Sequence, residues 1–414
     1  MRKFFPFLMA IFVCVIQAGA VAKAQEINAN LTSESSDEAG PLTPENDSSV
    51  LLSAVQVNER IAEAKDLLKS QTTQSLSTVR LAFFDSTSSQ TDFLSLPKDS
   101  FLLKNADFFG TTSIGRAVRV RVVRANGVNT AVMLTDPATK RTLLPLVVQF
   151  PIEKKGTLKE TAYYSSAHPA LVSPAVITSG QAYVTSMLDR AAANLAEKGV
   201  VVDPEIVTIA QHLVIVEHTD HHRFLNEDRT ALFPEILSLY ALNRHNTFNY
   251  SVSTAGAGGM IQMIPRTYEA IRQQHPAIGL EPDFVTGMRD HANALKAMLL
   301  YMNDTWNKLQ ESSEVQDAMR NGIATKPELL AAGYNSNPVR LPTYLKNGGP
   351  EWRSLIPAET QMYLAIYASV DSNVKFSASA SSAVSPALAT GDLSASRRLI
   401  SVLFTWMNLG LFGK

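Results

Sequence analysis

The sequence predicts an α+β protein of more than one domain, with a small β-rich domain ahead of a larger, mainly α-helical one. Three observations carry that expectation. Between about residues 76 and 160 the apolar residues recur with a period of two, most clearly in Val118-Arg119-Val120-Arg121-Val122. From about 176 to 370 they recur at helical spacing, with no strand-like runs between the helical segments. The chain has 414 residues, 45% of them hydrophobic and 18% charged, and two domains are the default at that length. The formal net charge of −1 excludes a disordered polyelectrolyte and a strongly basic nucleic-acid binder.

Taken in order, residues 1–24 read as a secretory signal. Arg2 and Lys3 form a basic start, an apolar stretch follows that is too short to span a bilayer comfortably, and Ala22-Lys23-Ala24 supplies a cleavage site before Gln25. Cleavage removes Arg2, Lys3 and Lys23 and takes the formal charge from −1 to −4, a surface with no electrostatic attraction for nucleic acid. The only cysteine, Cys14, leaves with the signal, so the exported product has neither a disulfide nor a thiol nucleophile. Phe12 and Val13 before it lack the small residues of a lipid-attachment site, and a soluble periplasmic protein is expected.

Residues 25–49 are polar and short of large apolar groups, a composition that reads as a flexible leader. Residues 50–75 carry one amphipathic helix, on Leu51, Val55, Ile61, Ala62 and Leu68, and a connector. The β-rich domain is placed at 76–165, with strands around 118–122, 131–134 and 143–150 and a turn at Asn126-Gly127. Its alternating arginines read as a solvated strand face, or as a contact for an acidic polymer. The helical domain is placed at 176–372, with helices expected at 181–198, 204–219, 231–243, 266–274, 290–309 and 358–369. A Ser/Ala-rich linker at 373–396 leads to an apolar segment at 397–414 that is too short to cross a membrane. That segment docks back on the protein, or meets an envelope protein partner or a membrane surface.

The chemistry concentrates in residues 249–265. Gly256, Gly258 and Gly259 let backbone amides approach a bulky ligand, and Gln262 offers both a donor and an acceptor, which suits a neutral ligand rich in hydroxyls and amides, such as a sugar. A phosphate cradle is excluded because no Lys-Ser/Thr follows the glycines, and a dinucleotide site because the G-x-G-x-x-G spacing is missing.

This segment resembles the S-x-x-G-A-x-G-x-x-Q-x-x-P motif of the soluble lytic transglycosylases, lysozyme-like (goose-type) enzymes that cleave peptidoglycan. Three further stretches resemble family motifs in the family's order. Residues 204–218 look like the helix ending in the catalytic Glu, Ala331-Ala332-Gly333-Tyr334-Asn335-Ser336 resembles A-Y-N-A-G with Gly333 in place of Ala, and Glu359-Thr360-Gln361-Met362-Tyr363 resembles E-T-x-x-Y. The resemblance spans 204–370 and says nothing about residues 25–175. It implies a lysozyme-like fold for the helical domain, with Glu217 as the single general acid and base. Ser253, Gly259, Met260, Gln262 and Ile264 would contact the sugar, with Tyr334, Asn335, Glu359 and Tyr363 bounding the cleft. The implied substrate is the peptidoglycan glycan strand, cut between N-acetylmuramic acid and N-acetylglucosamine with a 1,6-anhydro product and no cofactor.

The chain departs from the family in one respect. In compact members the Glu stands nine residues before the Ser that aligns with Ser253, and that position here is Arg244, which cannot deprotonate. Glu217 stands 36 residues before Ser253, so the match needs an insertion of 27 residues with its own helix around 235–242. Val207, Ala210, Val214 and Glu217 fall at helical spacing, which places the carboxyl at the end of an apolar stripe where burial raises its pKa. Asp220 is an auxiliary candidate one turn further on if the helix continues, or else a helix-end residue satisfied by local amides. Glu235, on the insertion, is the other auxiliary carboxylate. Two further readings stand beside the transglycosylase: an inactive glycan-binding scaffold of the same fold, and a metal-dependent hydrolase built on His218, His221 and His222, of which His218 and His222 would share a helix face. No metal is expected, since no distal ligand completes such a set.

Overall fold

A computed structural model describes residues 52–71, 75–245 and 256–376. The signal (1–24), the leader (25–49), nearly all of the 373–396 linker, the 397–414 segment and Ser253 lie outside the described residues.

The described residues form an α+β protein. Its strands are β1 (Thr78–Asp85), β2 (Gln90–Pro97), β3 (Asp107–Thr112), β4 (Ala117–Arg124), β5 (Ala131–Thr135), β6 (Thr142–Lys154) and β7 (Thr157–Tyr164). Each pairs antiparallel with the next, and β1 also pairs with β6 through registers such as Leu81 with Val148. The six strands β1 to β6 thereby close into a barrel with no free edge. The last strand, β7, runs beside the far half of β6.

Burial along β4 alternates strictly: Val118, Val120 and Val122 point into the barrel, and Arg119 and Arg121 point to solvent. Arg119 pairs on that outer face with Asp107 at 2.7 Å. By contrast, β1 and β6 are buried on both faces. Their outer residues Ala82, Phe84, Leu146 and Val147 pack under helix α1 (Ala54–Lys69), which turns Val57, Ile61, Ala64 and Leu68 toward them. A capping box starts α1: Ser53 accepts from the Gln56 amide, and the Gln56 side chain accepts from Ser53 N at 2.9 Å.

A short helix α2 (Lys98–Phe101) plugs one side of the barrel with Phe101. The helical part comprises α3 (Pro174–Glu197), α4 (Pro204–Val216), α5 (His221–Asn226), α6 (Arg229–Leu242), α7 (Pro265–Gln274), α8 (Phe284–Arg289), α9 (His291–Leu309), α10 (Ser313–Arg320), α11 (Lys326–Asn335), α12 (Leu341–Gly348) and α13 (Ala358–Asn373). Several begin as the sequence signals them, with Ser173-Pro174 opening α3 and Asp203-Pro204 opening α4. At the centre, α4 is buried from Ile206 to Val216 except at Thr208, so it is apolar nearly all round rather than along one stripe. One hydrophobic cluster runs from the barrel interior through α3, α4, α6 and α9 to α13, so barrel and helices share a core.

Two polar links fasten α6 to the barrel side. Asn243 accepts from Ser165 N at 2.9 Å and donates to Ser165 O at 2.8 Å, both residues being buried. Arg124 of β4 pairs with Glu235 of α6. The helices α3 and α6 cross so closely that a Cβ added at Gly180 would lie 2.0 Å from the Leu237 carbonyl oxygen. Replacing Gly180 with Ala is therefore expected to lower unfolding stability by about 1–3 kcal/mol despite the better helix propensity of Ala. Urea titration checks this, and a gain in stability would mean that the crossing is looser than described.

Candidate active site

Glu217 closes α4 as its C-terminal cap residue. The helix was expected to run to 219 but ends at Val216, because Thr219 turns its hydroxyl back onto Ile215 O at 2.9 Å and Asp220 caps α5 by accepting from Arg223 N at 2.8 Å. The premise that Asp220 lies one helical turn beyond Glu217 does not hold, and its carboxylate is engaged as a cap. For the same reason His218 and His222 do not share a helix face.

The Glu217 carboxyl lies among groups from three other elements. Tyr363 of α13 donates to Oε1 at 2.6 Å. Tyr334 of α11 and Tyr240 of α6 are near enough for the Glu217 charge to push their hydroxyl pKa values well up, in addition to the effect of burial. Tyr240 donates to Val214 O at 2.6 Å, satisfying a carbonyl of the last turn of α4. Tyr334 donates to Ile261 O at 2.8 Å, tying α11 to the glycine-rich turn. His218 Nε2 donates to Met260 O at 3.0 Å, tying the same turn to the end of α4.

Burial is the largest influence on Glu217 and pushes its pKa up to about 8. The Glu359 charge pushes the same way, and the Tyr363 hydrogen bond opposes both. The residue as a whole is half-buried. Burial also holds His218 down at about 3, so its imidazole is neutral and committed to the Met260 carbonyl. His221 and His222 are exposed. Among the described residues no group of three or more His, Cys, Asp or Glu side chains is arranged to hold a metal ion.

The turn Gly259-Met260-Ile261-Gln262 is closed at its base by the bridge between Gly258 and Met263. Gly259 has φ +73°, and a Cβ there would lie 2.3 Å from Met288 O, so only glycine fits. Met260 and Ile261 are buried anchors, and Gln262, at φ +44°, folds its side chain back to donate to Gly259 O at 2.9 Å. Ile264 is 38% exposed, just ahead of α7. Asn335 accepts from Thr360 Oγ1 at 2.8 Å, joining α11 to α13, and Glu359 is exposed in the first turn of α13. A Cβ at Gly333 would meet Pro338 Cβ at 3.0 Å, which accounts for glycine where the resembled motif has alanine.

The structure thus brings Glu217, the 259–262 turn, Tyr334 and Tyr363 together and leaves Ile264 and Glu359 on the outside. Glu235 is claimed by arginines: Arg124 and Arg223 both donate to its Oε2, the latter at 3.0 Å. Arg244 is exposed at the end of α6, donating to Ser179 Oγ at 2.5 Å.

Glu217 and His218 line a cleft of about 470 Å³ whose far wall is the barrel: Arg124, Asn126, Val128 and Asn129 around the β4–β5 turn, with Phe150 of β6. Gln262, Tyr334, Asn335, Glu359 and Tyr363, expected to contact the sugar or bound the cleft, are not among its lining residues. Sequence reasoning missed the barrel residues and Tyr240. The barrel carries no local motif that points at the site, and the Arg124–Glu235 pair joins residues 111 positions apart. The dipeptide Asn126-Gly127 was legible as a turn, and it does connect β4 to β5 through the short helical turn Gly127–Asn129.

Comparisons with protein-family models, with curated proteins and with solved structures return no match to this chain.

Proposed function

We propose that this chain is an exported lytic transglycosylase acting on peptidoglycan glycan strands. The observation that carries the reading is Glu217: a carboxyl held in its acid form up to about pH 8, at the lip of a cleft and beside a turn that only glycine can make. A general acid needs a proton to give at neutral pH, and this environment keeps one there. Two motif stretches bring the Tyr334 and Tyr363 side chains to it, and the glycine-rich turn is tied in through the Met260 and Ile261 carbonyls; that convergence supports a lysozyme-like reading of the helical part. The secretory signal read at 1–24 supports export to the periplasm.

The reaction needs one carboxyl. With Tyr363 bonded to Oε1, Oε2 carries the proton and delivers it to the glycosidic oxygen as the bond to C1 breaks. The carboxylate that remains accepts the proton of the muramyl C6 hydroxyl, whose oxygen closes on C1. The proton count balances with no water consumed, and the product ends in a 1,6-anhydro sugar. Glu235, tied to two arginines, and Asp220, capping α5, are not placed as a free second base for hydrolysis.

Digestion of purified sacculi by the mature protein is expected to release anhydro-muropeptides detectable by mass. Glu217→Gln should lower that release by at least ~10³-fold and Glu235→Gln by far less. Binding to sacculi without any product from the unaltered protein would identify a glycan-binding scaffold instead.

The alkaline limb of kcat/KM should fall near pH 8. Tyr363→Phe removes a hydrogen bond that favours the carboxylate, so the limb should move up by about one unit while kcat drops. A limb that moves down or stays in place would separate Tyr363 from the acid.

The raised pKa also predicts a stability signature. Between the ordinary value of 4.5 and about 8 the unfolded chain releases a proton that the folded one retains, so stability falls as pH rises across that window. Glu217→Gln should therefore stabilise the protein by roughly 1–3 kcal/mol at pH 8, the range allowing for the half-burial of the residue, and by nothing near pH 4. Urea unfolding at both pH values checks the sign.

A further inference from the structure

The cleft beside Glu217 has two walls of different origin. The helical wall carries Asp220, Arg223 and Glu235, and the barrel wall carries Arg124, Asn126 and Asn129 over the apolar surface of Val128 and Phe150. The resemblance that motivates the catalytic reading does not reach the barrel, so the task of that wall has to be read from its own chemistry.

Its charges cancel. Arg124 and Arg223 share Glu235, and Arg223 also donates to Glu227 at 2.8 Å, so two guanidinium groups are matched by two carboxylates. A cation already held by a carboxylate gains little from a second anion, so this wall is not built for a carboxylate or a phosphate. What it offers instead is amide chemistry. Asn126 is exposed at the cleft.

Behind it, Ser166 Oγ donates to Asn129 O at 2.7 Å and holds the 165–168 segment against the turn. In these two segments Asn129 Oδ1, Ser165 Oγ and His168 Nε2 are enclosed and find no hydrogen-bond partner among the described residues. Enclosed polar atoms left unpaired are rare in folded proteins; Ser165 and His168 lie behind the wall, and Asn129, which lines the cleft, is placed where a small shift admits a polar group from a ligand. Amide groups beside an apolar floor, with charge cancelled, complement a pyranose ring that carries an acetamido substituent: C–H face on the apolar surface, amide to amide at the edge.

We infer that the barrel wall is a saccharide subsite that takes an N-acetylated hexosamine unit next to the bond Glu217 attacks, with Asn126 and Asn129 reading the acetamido group. The inference rests on the proposed function for the identity of the polymer. It assigns the barrel to the glycan chain rather than to the acidic groups of a stem peptide.

The test uses the mature Glu217→Gln protein, titrated calorimetrically with the tetramer of β-1,4-linked N-acetylglucosamine and with a β-1,4-linked glucose tetramer, which lacks acetamido groups. The acetylated tetramer should bind at least ten times more tightly. Adding Asn126→Ala with Asn129→Ala should weaken it at least tenfold, and Asn126→Trp, which adds bulk at an exposed position, should do the same even if the double variant proves unstable. Arg119→Ala, on the outer barrel face, should leave binding unchanged.

Equal affinity for the two tetramers, no binding of either, or full affinity in a folded Asn126→Trp protein overturns the subsite. Failure of the catalytic reading looks different: sacculi yield no anhydro product while asparagine-dependent binding persists. If product forms at the normal rate in folded asparagine variants that bind normally, catalysis stands and the subsite falls.

Discussion

The whole site depends on keeping a carboxyl neutral at the end of the most buried helix. Ionising Glu217 would place a negative charge at the C-terminal end of α4, where the helix dipole opposes it, and among side chains that exclude water. A cation beside it would undo this by favouring the carboxylate. The neighbours of Glu217 include no cation: the Tyr363 hydroxyl, the rings of Tyr240 and Tyr334, a histidine that burial keeps neutral, and the Glu359 carboxylate, whose charge also disfavours ionisation. Two arginines do line the same cleft, yet Glu235 and Glu227 hold them, and neither arginine contributes to the shift on Glu217. Glu235, which sequence reasoning treats as an auxiliary acid, is better understood as the group that keeps positive charge away from Glu217.

The extra residues between Glu217 and the glycine-rich turn are part of the same constraint. Against the resembled family pattern they read as an insertion between two motifs. In space α6 is buried from Leu232 to Leu242 save for half-buried Pro234 and Glu235, and it crosses α3 at the Gly180 contact. Through Tyr240 it supplies the hydrogen bond that closes α4, and through Asn243 the pair of bonds to Ser165. Such a helix acts as a filling between α4 and the barrel.

What could be read from the sequence follows from what is local. Helix starts at Ser173-Pro174 and Asp203-Pro204 depend on adjacent residues, and the alternation in β4 depends on one strand having a wet face and a dry one. The clustering of Glu217, Gly259, Tyr334 and Tyr363 was legible only because four motif stretches occur in a family's order. Barrel closure was not legible: β1 and β6 are covered on both faces, so they lose the alternating signature, and their pairing joins residues about 65 positions apart. The break after Val216 was missed because an apolar run says where a helix is comfortable, not where Thr219 and Asp220 bond back and end it. No local rule pairs Arg124 with Glu235.

The shared core bears on how the cleft works. A cleft between independently packed domains opens and closes at low cost, and its specificity then comes from the closed form. Here the barrel interior and the central helices belong to one hydrophobic cluster, and the walls are joined by Asn243 with Ser165, by Arg124 with Glu235, and by Arg289 with Glu160 at 2.7 Å. Separating the walls would break that packing as well as those bonds. The geometry between Glu217 and the β4–β5 turn is therefore set when the chain folds, and a ligand meets a cleft whose shape and charge balance are already in place. A preformed cleft of that kind selects by fit, which suits a repeating neutral polymer better than a ligand that must be enclosed before it reacts.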